Sequence, residues 1–165
     1  MVGRANWAAR LPEMPLTDDA APATLLEKPG WLIGQISVHH HRLLVDALAA
    51  AGARGYHFRL LAALQEFGPA SQVTLGRRAR LDRSDVVEAL DELVDRGYVE
   101  RAADPDDRRR NIIAITTAGR AHFRRLDRIL AGVQDELLSP LSPAQRGQLT
   151  RLLRRVLEHH TDHTR

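Results

Sequence analysis

The chemistry on offer between Ser71 and Arg110 is that of guanidinium groups interleaved with small hydrogen-bonding side chains. Arg77, Arg78, Arg83 and the run Arg108, Arg109 and Arg110 are separated along the stretch. An arginine fork suits phosphate oxygens and, in a bidentate pose, guanine edges. Ser71, Gln72, Ser84 and Asp85 stand among them. These types cap helices or address base edges. From residue 77 to 110 there are nine arginines against ten acids, a local net of −1. The whole chain of 165 residues carries only +3. A nucleic-acid reading therefore rests on where the arginines sit, not on bulk charge.

Other chemistries find little support. The chain has no cysteine, which excludes disulfides, thiolate zinc sites and thiol redox sensing. It has eight histidines, among them His39, His40, His41, His159, His160 and His163. Three adjacent residues on a helix point three ways, so His39 to His41 cannot all ligate one metal. We expect no metal site and no cofactor. No nucleophile elbow, phosphate loop, HExxH motif or paired-carboxylate arrangement is present, so an enzyme is not expected. No apolar run spans a membrane and no apolar signal core opens the chain, so the expected location is the cytoplasm.

The elements that must position the arginines are legible in the pattern. Ser71 can cap a helix over 72–79 carrying Val73, Leu75 and Ala79, with Gly76 as a mark of close packing. A turn at Arg80-Leu81 follows. Asp82, with Asp85 three residues later, resembles a capping box. The next helix shows Val86, Leu90, Leu93 and Val94 on one face and stops at Gly97. Arg83, Ser84, Asp85 and Glu88 fall off that face. Tyr98–Arg101 and Asn111–Ile115 alternate as strands around a turn holding Pro105. Helix, turn, helix, strand, turn, strand is the order of a winged helix-turn-helix. The fold class expected is mainly α with a small β-hairpin wing.

The stretch RSDVVEALDELVDRGYVERAADPDDRRRNIIAITTAG resembles the recognition helix and wing of the MarR family of transcription regulators. DPDDRR, an apolar strand, then threonine and AG opening a helix carry the likeness, which extends loosely over residues 31–160. The resemblance implies a homodimer on double-stranded DNA, bound at a pseudo-palindromic operator. It implies groove contacts at Arg83, Ser84 and Asp85 and a wing tip at Arg108 and Arg109. It also implies small aromatic or anionic effectors at the junction between winged domain and dimer helices. Arg80 departs from it, standing where the family often has glycine.

The flanks complete the plan. Residues 1–30 are cut up by Pro12, Pro15, Pro22 and Pro29 and read as a partly flexible extension, with Trp7 able to dock. The body is expected over 31–165, with the winged unit at 54–116 and dimerisation helices at 31–51, 117–138 and 142–160. Phe123, Leu126, Leu130, Val133 and Leu137 repeat at threes and fours, a seam for another helix. Ser142-Pro143-Ala144-Gln145 opens the last helix, which carries Leu149, Leu152, Leu153, Val156 and Leu157. Together these two helices hold more apolar surface than a small winged domain can cover. Tyr56, Phe58, Leu60, Leu61, Leu64 and Phe67 are expected to supply core. The same stretch could instead border an effector pocket. Trp31, Tyr56, His57 and Phe58 would form its walls, with a cation from His57, Arg42 or Arg59. The competing reading is a helical dimer whose winged unit binds protein and no DNA. A shallow salt dependence would mark it.

Overall fold

The computed structural model describes residues 21–103 and 111–162. Its elements are α1 (Ala23–Leu26), α2 (Pro29–Ala50), α3 (Gly55–Phe67), α4 (Gln72–Ala79), α5 (Arg83–Asp95), β1 (Val99–Ala103), β2 (Asn111–Ile115), α6 (Thr117–Leu137) and α7 (Pro143–Asp162). The expected order of helices and strands is the observed one. The short α1, led by Pro22, is the one described element that the sequence reading passed over. The division between two compact units falls within α2, at Leu43 and Leu44.

In the second unit, α3, α4, α5 and the hairpin close on one apolar core. Leu60, Leu61, Leu64, Leu75, Leu90, Leu93 and Leu126 are fully buried there. Each comes from the apolar stripe of its helix, so burial follows the 3.6-residue period. α6 joins this core through Leu126, with Phe123, Ile129 and Leu130 packed against it. The seam of α6 is thus largely covered within the subunit: Val133 is buried as well. The expectation that α6 shares α7's need for a partner is corrected accordingly.

The hairpin pairs Val99 with Ile115 and Ala103 with Asn111, antiparallel. β2 buries Ile113 and Ile115 and turns Asn111 outward, the alternation its sequence carries. Ala70 forms a bridge to Ile113: its amide donates to Ile113 O at 3.2 Å, and its carbonyl oxygen accepts from the Ile113 amide at 2.9 Å. This single-residue bridge ties the start of α4 to the wing.

Local signals account for the junctions. Ser71 Oγ accepts from the Thr74 amide at 3.3 Å, and Thr116 Oγ1 from the Gly119 amide at 3.0 Å. Ser142 and Gln145 form the expected reciprocal box. After α5, Tyr98 N donates to Leu93 O and Gly97 N to Val94 O, with Gly97 at φ 69°. That is a Schellman end, and it aims the chain into β1. Gly119 is fixed by space: a Cβ there would overlap Tyr98 O and come within 2.9 Å of Ile115 Cγ1. The family-like AG therefore lets α6 start against the base of the wing.

Candidate nucleic-acid interface

α4 and α5 meet at a tight angle because Gly76 lets them approach. A Cβ on Gly76 would sit 3.1 Å from Val86 Cγ2. The turn between them is made by Arg80, with φ 52° and ψ 50°, the only left-handed non-glycine residue among those described. An L side chain there costs roughly 1–2 kcal/mol. Arg59 Nη2 donates to Arg80 O at 2.6 Å and helps hold the turn. Arg80 in place of glycine thus keeps the geometry with added strain.

On α5, Val86, Ala89, Leu90 and Leu93 face the core. Arg83, Ser84, Val87, Glu88 and Asp91 are exposed, forming one outward row from the helix start. Asp82 leads the helix but makes no side-chain cap hydrogen bond, so the expected capping box is absent. Asp85 is half-buried and accepts from the Tyr56 hydroxyl of α3. Burial and then the Asp85 carboxylate push the Tyr56 phenol above its ordinary value. The acids farther along also have partners. Arg54 Nη1 and Nη2 both reach Glu88 Oε1 at 3.1 Å, and Arg54 also pairs with Glu92. Arg101 of β1 pairs with Asp91. The acidity noted in the sequence is therefore matched by arginines from α3's start and the wing. Composition hid this arrangement, because the partners lie 10 to 38 residues away.

On α4, Ser71 is committed to its cap and Gln72 is half-buried. Arg77 is exposed, while the Arg78 guanidinium lies 4.7 Å from the Phe67 ring centroid, a cation–π contact. One core expectation fails here: Phe67 is 54% exposed. Val73 is 81% exposed and supplies no core either. Val73 sits in the first turn of an eight-residue helix whose inner face is filled by Leu75, Gly76 and Ala79. Arg108, Arg109 and Arg110, the expected wing tip, lie outside the described residues.

The tentative effector residues are divided between the two units. Trp31 and Arg42 belong to the part of α2 in the first unit. Phe58 stacks on Phe123, with centroids 5.4 Å apart. His57 is 1% exposed; its Nδ1 accepts from the Arg54 amide at 3.3 Å. Its Nε2 lies 2.9 Å from Glu92 Oε2 but outside hydrogen-bond alignment. Burial first, then Arg54, Arg96 and His122, push the His57 imidazole down to about 4. The ring is a neutral core group at physiological pH, so the cation expected of it is absent. His122, also buried, stacks on Tyr98 at 4.1 Å and is lowered too, by burial and then by Arg125 and Arg96. What the structure does offer is a groove of about 280 Å³ beside the α4–α5 turn. Phe58, Arg59, Glu66, Phe67, Arg78 and Arg80 line it.

A buried helix-turn-helix, a single-residue bridge and a hairpin define a winged helix-turn-helix protein. Residues 53–110 match the model of the MarR family. The winged unit of the chain is thus of the MarR type, and relatives it aligns with are named as transcriptional regulators. It is 24% identical over 140 residues to the HTH-type transcriptional repressor NicR of Pseudomonas putida, covering 85% of this chain and 89% of that one. The PcaV regulator of Streptomyces coelicolor, solved with its natural ligand, aligns at TM-score 0.67 and 29% identity, over 84% of this chain and 98% of that one. A mutant MarR of Escherichia coli complexed with operator DNA aligns at TM-score 0.67 and 25% identity, over 84% and 99%. These relatives are regulators, not enzymes. No helix among the described residues is long and apolar enough to cross a membrane.

Proposed function

We propose that the protein is a homodimeric repressor that binds a pseudo-palindromic operator and releases it on binding a small anionic effector. The observation that carries the reading is the outward row of α5. Arg83 and Ser84 stand exposed at its N-terminal end, while the opposite face is locked in the core. That end of the second helix is the part that enters a major groove in this fold. Gln72, Arg77 and Arg78 on α4 are assigned to the flanking backbone, with Ser71 setting the start of that helix through its cap, and Arg108, Arg109 and Arg110 to a wing contact. Asp85 acts from behind, holding α5 to α3 through Tyr56. The MarR–operator complex and the NicR name support DNA binding and repression as the role.

Dimerisation is supported by α7. Leu152, Leu153, Val156 and Leu157 are 43–56% exposed on consecutive turns. Covering a leucine is worth roughly 1.5–3 kcal/mol, so a second copy is the natural cover. For effector release we favour the groove beside Arg80 over the wall first expected. Arg59, Arg78 and Arg80 present three guanidinium groups there against one carboxylate, Glu66. A ligand drawing on Arg59 would loosen its hold on the Arg80 carbonyl and so shift α4 against α5. PcaV, solved with a natural ligand, lends this analogy.

Salt titration of operator binding tests the reading. Affinity should fall steeply with salt, with a slope of about −0.9 per phosphate neutralised. Replacing both Arg77 and Arg78 by alanine should weaken every sequence alike and reduce the slope by about 2. Binding indifferent to salt would instead support a protein-interaction module.

A further inference from the structure

We infer that Val87 reads a thymine methyl group, placed one to two base pairs from the base that Arg83 contacts. The inference rests on the DNA-binding reading above and sharpens it. A single exposed valine on a protein surface needs no explanation by itself. The place of this one supplies it. Val87 is 40% exposed, the sole apolar member of the outward row Arg83, Ser84, Val87, Glu88 and Asp91. Its neighbour Val86 fills the core position at this turn, and Val87 is not among the residues that α5 buries.

The rest of the row narrows the choice. Glu88 is held by both terminal nitrogens of Arg54, Asp91 by Arg101, and Asp85 behind the row by Tyr56. Both acids of the row, and Asp85 behind it, therefore have partners within the protein. Among the described residues this leaves a guanidinium, a hydroxyl and an isopropyl group along one line. Major-groove edges offer a match for each. Guanine presents two acceptors to arginine, a hydroxyl can donate or accept, and the thymine C5-methyl is the apolar feature of the groove.

Spacing fixes the register. Val87 follows Arg83 by four residues, about 6 Å along the helix axis. Base steps are about 3.4 Å, so the two side chains meet bases one to two steps apart. The half-site should contain a guanine with a thymine at that distance, on either strand.

The experiment selects sites from random duplexes with the full-length protein. Each thymine of the selected site is then replaced in turn by deoxyuridine, which lacks only the methyl group. Wild-type protein should lose about 3- to 10-fold in affinity at one position per half-site. Val87→Ala should show a smaller loss at that position than wild type, while retaining the wild-type circular dichroism and melting midpoint. Equal sensitivity in wild type and Val87→Ala at every position, or no sensitive thymine, would overturn the assignment to Val87. If selection enriches no sequence at all, the DNA-binding reading itself fails.

Discussion

The winged core and helix α7 use the same side chains to opposite effect. Leu60, Leu61, Leu64, Leu75, Leu90 and Leu93 are wholly out of water inside one subunit. On α7, Leu152, Leu153, Val156 and Leu157 each keep about half their surface exposed. The first set needs nothing beyond the chain's own elements. The second has helical periodicity, a proper start at Ser142-Pro143 and an arginine-rich opposite face, yet no cover of its own. The winged unit closes its own core, while the helix that follows leaves apolar surface uncovered. The proposed dimer would use that surface to hold two winged units at a fixed distance.

The comparison can be broken at either side. The largest expected effect comes from Leu153→Asp with Leu157→Asp. Four leucines leave the interface of a dimer, at roughly 1.5–3 kcal/mol each. Sedimentation should then report monomers, and the melting temperature should lose its dependence on protein concentration. The winged core should keep its circular dichroism. If the double variant stays dimeric, α7 is not the interface.

On the other side, Gly119→Ala should cost at least about 3 kcal/mol, because the new methyl would overlap the Tyr98 carbonyl. Urea unfolding measures it, and an unchanged midpoint would show that the start of α6 can shift freely.

Acid should unpick the winged core before α7 matters. His57 and His122 are held neutral by burial, His57 down to about 4. An unfolded chain takes up these protons near the ordinary value of about 6.5. The stabilisation from keeping His57 neutral is therefore complete above that pH. It is lost as the pH falls toward 4, by an amount on the order of 3 kcal/mol. A His57→Gln variant should show a flatter urea-midpoint profile between pH 6.5 and 4; a profile parallel to wild type would refute the cause given.

The smallest effect is a gain. Arg80→Gly should stabilise the winged unit by about 1 kcal/mol through relief of the left-handed turn. The urea midpoint should rise; a fall would mean that the Arg80 side chain contributes more than its backbone costs.

The same contrast explains what the sequence disclosed. Helix positions, the strand alternation and the caps at Ser71 and Ser142 were readable because each is set within a few residues. Exposure of Phe67 and Val73 was not, since an apolar side chain on a short helix says nothing of its face until neighbours are placed. The bridge from Ala70 to Ile113 needs a pairing across 43 positions, which no local pattern marks. Nor does composition reveal that Glu88, Asp91 and Glu92 are matched by Arg54 and Arg101. Among the candidate site residues, the exposure of Arg83 and Ser84 was legible from their place off the apolar face. His57 misled, because a histidine beside aromatic residues looks alike in a pocket and in a core. Only its burial decides.

A hydroxyl-radical footprint of the full-length protein on a selected duplex tests the central claim most directly. The account predicts two equivalent protected half-sites centred about 10 base pairs apart, one helical turn, with protection lost when Arg83 and Ser84 are both replaced by alanine. A single protected half-site, or a footprint that survives the double replacement, would contradict it.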